Sequence, residues 1–85
     1  MSDESTIRVL AFGSAASALG WSERAVAAGG MDRLQQLVEK LEADCPRLAA
    51  ARGRMRFAIN QVYAELDAPV RGGDEVALIP PVSGG

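Results

Sequence analysis

The chain has 85 residues, nearly half of them apolar and about a quarter charged, and carries a net charge of −2. That length makes one small domain, which buries only about 60% of the surface its unfolded chain exposes and leaves little room for a deep private active-site cleft. The acidic balance argues against nucleic acid as the main partner. With no histidine and one cysteine, a Ser–His or Cys–His nucleophile pair, an internal disulfide and the usual His/Cys zinc site are all excluded.

The arginines are scattered from Arg8 to Arg71, with no block of like charges standing out. Residues 1–6, Met-Ser-Asp-Glu-Ser-Thr, are acidic and polar and lack the basic start and apolar run of a secretion signal. No apolar stretch approaches the roughly 20 residues that cross a bilayer. These features predict a soluble, cytoplasmic protein, and the lone Cys45 fits a reducing compartment.

Residues 6–12, Thr-Ile-Arg-Val-Leu-Ala-Phe, read as a strand with Ile7, Val9 and Ala11 on one face and Leu10 and Phe12 on the other. Apolar residues on both faces place it in the middle of a sheet. Ser14 is positioned to cap a short helical turn over residues 15–19 that ends at Gly20, and Trp21 suggests a lid on one end of the core. Residues 24–28 read as a weaker second strand. After Gly29-Gly30, Met31, Leu34, Leu37, Val38 and Leu41 recur at helical spacing and form one apolar stripe. Asp32 falls in the first turn of that helix, where a negative charge complements the dipole. Pro46 predicts a stop near Asp44, and residues 48–52 offer a further helical turn.

Residues 55–60 alternate, with Met55, Phe57 and Ile59 on the core side, which is the period of a half-buried strand. Asn60-Gln61 reads as a turn and residues 62–64 as a short return strand. Residues 67–70 and 71–74 supply two more turns. Residues 75–79 make a last strand, apolar on both faces from Val76 onward and again suited to a sheet centre. The first and last strands are expected to be neighbours. One long helix over a small mixed sheet gives an α+β two-layer domain.

After Ile79 the sequence reads Pro80-Pro81-Val82-Ser83-Gly84-Gly85. Two consecutive prolines remove two backbone donors, so the sheet cannot continue, and they favour a stiff polyproline-like arm. Six residues at about 3.3 Å each reach at most roughly 20 Å. Two glycines without side chains would let the end of this arm enter a narrow channel. A frayed Gly/Ser end is the plain alternative for any Gly-Gly terminus, but here the glycines follow directly on a buried strand and a Pro-Pro arm.

The run from Gly73 to Gly85 resembles the ending of the small subunit of molybdopterin synthase, a ubiquitin-like β-grasp sulfur carrier. The resemblance extends along nearly the whole chain. Residues 7–12 and their helical turn match the family's opening, the stripe over residues 31–41 its grasped helix, and Phe57-Ala-Ile-Asn-Gln61 the strand and turn before the tail. It implies a β-grasp domain over residues 1–79 and an extended tail over residues 80–85. It further implies that an ATP-dependent adenylating enzyme activates the carboxyl group of Gly85, and that a sulfur donor converts the adenylate to a thiocarboxylate. The large catalytic subunit then uses that sulfur on a cyclic pyranopterin precursor in molybdenum cofactor biosynthesis. By the same implication two such subunits flank a dimer of the large one, a heterotetramer.

On this basis Gly85 holds the sulfur, Gly84 permits passage, and Pro80, Pro81, Val82 and Ser83 line the contact with partners. No catalytic residue of its own, no metal and no cofactor are expected, because the sulfur is held covalently. The family often caps its long helix with Thr or Ser where this chain offers Gly30, an acceptable cap. Two other functions share the same fold and tail: a sulfur carrier for thiazole or tRNA thiolation, and a ubiquitin-like modifier joined to lysines of other proteins. Among the remaining candidates, Cys45 reads as a small buried residue more simply than as a sulfur-handling one. Asp74 and Glu75 point to opposite faces and serve a turn and a solvated edge better than acid–base work. Phe12 and apolar residues near the last strand are candidates for an exposed docking patch.

Overall fold

A computed structural model describes residues 4–81. Five strands form one sheet in the order β2-β1-β5-β3-β4. They are β1 (Thr6–Ala11), β2 (Glu23–Ala27), β3 (Arg56–Ile59), β4 (Val62–Ala64) and β5 (Glu75–Ile79). The central strand is β5, parallel to β1 with Val9 opposite Val76, and antiparallel to β3 with Phe57 opposite Leu78. The two strands read as apolar on both faces are therefore neighbours inside the sheet, as expected, although only their inner face is fully buried.

Alternation along the strands gives the sheet two unlike faces. Ile7, Val9, Ala11, Phe57, Val76 and Leu78 point inward and are buried. Three helices cover this inner face: α1 (Gly13–Leu19), α2 (Leu34–Asp44) and α3 (Pro46–Ala50), with a 3-10 turn at Arg52–Arg54. Leu34, Leu37, Val38 and Leu41 of α2 form the buried stripe. The half-buried Trp21 packs on the core edge, with the Arg24 guanidinium 5.5 Å above its ring. This mixed sheet wrapped around one main helix is the β-grasp arrangement.

Three local expectations need correcting. The cap of α1 is Phe12, whose carbonyl accepts from the N–H groups of Ala15 and Ala16, and Ser14 lies inside the helix. Gly20 does end that helix in the left-handed conformation, at φ 85. The long helix begins at Leu34, with Arg33 as its cap, so neither Gly30 nor Asp32 plays the role the sequence assigned to it. The reason lies far along the chain. The carbonyls of Ala68 and Leu66 accept from the N–H groups of Leu34 and Gln35, both at 2.8 Å, and satisfy donors that an extra turn would otherwise have occupied. Gln36 completes the cap, its Oε1 accepting from the N–H groups of Asp32 and Arg33 at 2.7 and 2.9 Å. The same loop sends Val70 into the core, 4% exposed, although residues 67–70 read as a turn.

Candidate functional site

The strand that leads to the tail is held on both sides up to its last residue. Leu78 pairs with Ala11, and its carbonyl accepts from the N–H of Phe12 at 3.2 Å; Ile79 pairs with Arg56. Pro80 and Pro81 then offer no N–H, and the ladder stops. Pro80 lies against the start of α1, where Gly13 holds φ 50; a Cβ built there would sit 3.2 Å from the Cγ of Pro80. A glycine at this position lets the first proline pass close to the backbone. Of the tail residues singled out by sequence, Pro80 and Pro81 are placed at the end of the central strand. Val82, Ser83, Gly84 and Gly85 lie outside the described residues.

Beside this tail base the outer face of the sheet is apolar. Leu10, Phe12, Ala58, Tyr63, Ala77 and Ile79 line a shallow hollow on the side opposite the helices. Phe12 is 50% and Tyr63 70% exposed. Single exposed apolar residues are ordinary, but a contiguous set on one sheet face marks an interaction surface. The exposed apolar patch expected around Phe12 is therefore present, and it adjoins the base of the tail. Tyr63 is the member that the sequence did not single out. Its place in a short return strand beside polar residues was the available signal.

The charged residues around this face divide into two groups. At the far end, Arg8 meets Glu23 at 2.8 Å and Glu75 at 3.9 Å. At the tail end, Arg52, Arg54 and Arg56 share a groove with Pro81. Arg52 is neutralised by Glu42, its Nε donating to Oε2 at 2.7 Å, and this hydrogen bond raises the guanidinium pKa above the ordinary arginine value. The sign means that Arg52 stays charged throughout the neutral range, and the stability linked to its own titration is lost only as pH rises into strong alkali. Among the described residues no carboxylate lies within ion-pair distance of Arg54 or Arg56. These three arginines stand within five consecutive residues of the sequence, and the fold sets them beside Pro81.

The remaining candidates serve the scaffold. Cys45 is buried and ends α2, with its thiol donating to the Ala18 carbonyl at 3.3 Å, and it lines neither groove. Asp74 accepts from the N–H of Arg71 and from Asn60 Nδ2, both at 3.0 Å, which fixes the turn before β5. Glu75 faces Arg8. Among the described residues no cluster of His, Cys, Asp and Glu has the makings of a metal site, and no helix is long and apolar enough to cross a membrane.

A β-grasp sheet with one face under helices, the other face apolar, and a proline-led tail leaving the central strand defines a ubiquitin-like protein. Comparison with known proteins narrows that class. The model of the ThiS family matches residues 9–85. Over 93% of its length the chain is 34% identical to the molybdopterin synthase sulfur carrier subunit of Homo sapiens, covering 93% of that protein. It is 36% identical to the subunit of the same name from Escherichia coli K12, covering 93% of this chain and 99% of that one. The chain belongs to the ThiS family, and both of these curated relatives are named molybdopterin synthase sulfur carrier subunits.

Solved structures agree on the fold. SAMP1 from Haloferax volcanii superposes with a TM-score of 0.79 at 25% identity, over 94% of this chain and 99% of that one. Subunit 1 or 2 of the Helicobacter pylori molybdopterin-converting factor, solved as a protein–protein complex of the two, superposes with a TM-score of 0.66 at 25% identity. That match covers 94% of this chain and 99% of the other.

Proposed function

We propose that this chain is the sulfur-carrier subunit of a molybdopterin synthase and that the carboxyl group of Gly85 carries the sulfur. A free carboxylate is a poor electrophile, because its charge is shared by two oxygens. An ATP-dependent adenylating enzyme converts it to an acyl adenylate. A sulfur donor then adds at the acyl carbon, adenylate leaves, and a thiocarboxylate remains. The large catalytic subunit receives the loaded tail and passes its sulfur to a pyranopterin precursor. In this scheme the domain up to Ile79 is a handle, residues 80–85 are the arm, and Gly84 keeps the arm slim enough for a channel. The sulfur is covalent cargo, so the carrier brings no cofactor, and catalysis belongs to the large subunit.

The observation that carries this reading is the placement of Pro80 and Pro81 at the end of the central strand, beside an exposed apolar face. Likeness to named sulfur carrier subunits along 93% of the chain supports it. The apolar face around Phe12 and Tyr63 is the surface on which the large subunit docks, as burial of exposed aromatic area is the strongest source of affinity there. Incubation with the activating enzyme, ATP and a sulfur donor, followed by mass measurement of the tail peptide, tests the scheme. Exchange of one oxygen for one sulfur on Gly85 is expected; an unchanged tail would refute it.

A second reading is favoured by the likeness to the Haloferax SAMP1, called a small archaeal modifier protein. A modifier uses the same activated Gly85 to form isopeptide bonds with lysines. Gly-Gly remnants on lysines of other proteins, found in cells making this chain, would support that use.

A further inference from the structure

At the tail end of the sheet's outer face stand two arginines, Arg54 and Arg56, that no carboxylate among the described residues meets at ion-pair distance. Between Cys45 and Ala64 the chain has four arginines and no Asp or Glu, although eleven acidic residues occur in the whole sequence. Arg56 is the one that matters most, because it lies directly opposite Ile79 at the last rung of the β3–β5 ladder. Residues opposed across strands share a face and stand about 5 Å apart at Cβ. Whatever covers Ile79 and takes in Pro80 and Pro81 therefore also covers Arg56.

The two ends of this face differ in a way that bears on a partner. Arg8 is met within the fold by Glu23 and Glu75. It can be covered without being stripped of its counter-charge. Arg56 has no such carboxylate among the described residues, nor does Arg54 two residues before it. Glu65 and Asp67 line the same groove, neither within ion-pair distance of them. A guanidinium covered by protein with no acceptor is strongly unfavourable. A stable complex must therefore supply an acceptor, and a carboxylate gripping the planar fork is the best match.

We propose that Arg56, assisted by Arg54, docks on a carboxylate-bearing rim around the mouth through which the large catalytic subunit admits the tail. This rests on the sulfur-carrier reading above. The large subunit is chosen as the occupant because the arginines continue the apolar docking face through the shared Tyr63. In addition, the assembly shown by a structural neighbour pairs subunits 1 and 2 of a molybdopterin-converting factor. The apolar face then supplies affinity, and the arginine contact fixes the orientation in which the tail meets its channel.

The test is calorimetric binding of the full chain to its large subunit at low and high salt, for the natural chain, Arg56→Glu, Arg56→Gln and Arg47→Glu on α3 as a control. Arg56→Glu is expected to weaken binding at low salt by roughly tenfold or more, with Arg56→Gln intermediate and the control unchanged. Natural-chain affinity should fall as salt rises, and less steeply in Arg56→Glu. Thermal unfolding of each variant checks the fold, and the salt dependence of the natural chain stands even if a variant fails to fold. Equal affinity of Arg56→Glu and the natural chain, or salt-independent natural binding, would overturn the docking proposal while leaving the carrier reading intact. A loss seen only against the activating enzyme would also overturn it. If the natural chain does not bind the large subunit at all, both readings fall together.

Discussion

Gln61 holds a left-handed backbone at φ 71, next to Asn60 at φ 51, in the two-residue turn between β3 and β4. Both positive values match the tight hairpin turn that asparagine followed by glycine forms most readily. Asn60 is suited to it and also spans to β5, accepting from the Glu75 N–H and donating to Asp74, both at 3.0 Å. Glutamine bears the strain of its Cβ. Gln61→Gly should therefore raise stability by about 0.5–1 kcal/mol in chemical denaturation; an unchanged or lower midpoint would show that the turn is unstrained. Gly72 presents the opposite case. Its φ is ordinary, but a Cβ there would overlap the carbonyl oxygen of Glu4. Gly72→Ala should cost about 2 kcal/mol or more, because backbone must yield and no flexible side chain can. A variant as stable as the natural chain would contradict that packing.

Among the elements, α2 decides whether the sheet has a core. Leu34 and Leu37 are fully buried, and the stripe they begin was visible in the sequence from its spacing alone. Leu37→Ala should destabilise by about 2–5 kcal/mol, measured by thermal or chemical unfolding. A loss below 1 kcal/mol, about the cost of an exposed site, would mean that the helix packs elsewhere. The strand assignments were equally legible, since β1 and β5 announced a central position by being apolar on both faces. The helix start was not legible, because Met31 continues the spacing of the stripe. What ends the helix at Leu34 is a loop more than thirty residues later, whose carbonyls take up its first N–H groups. Local periodicity cannot register a cap supplied by a distant segment. Val70 was missed for the same reason: a lone valine among turn residues becomes core only through the path of its loop.

At the scale of the whole molecule, the division of labour follows from the sheet's two faces. Helices cover one, so the other is free to meet a partner, and the central strand ends at its margin with two prolines. The stop of the central strand at Pro80 and Pro81 was legible in the sequence, and the exposed apolar patch was partly legible from Phe12. The placement of the arginine end was not, because Arg52, Arg54 and Arg56 are neighbours in the sequence but only the fold sets them beside Pro81. Their counter-charges could not be assigned from sequence either, since Glu42 lies a helix away from Arg52 and no carboxylate among the described residues reaches Arg56.

If the function resides in the carboxyl group of Gly85 held out on this arm, the chemistry must fail when that group is moved while the domain stays unchanged. The direct measurement is sulfur transfer to the pterin precursor by a chain carrying a few additional residues after Gly85, with mass measurement to establish that they remain uncleaved. The account predicts normal folding, retained binding through the outer sheet face and no transfer. Undiminished transfer from the intact extended chain would contradict it.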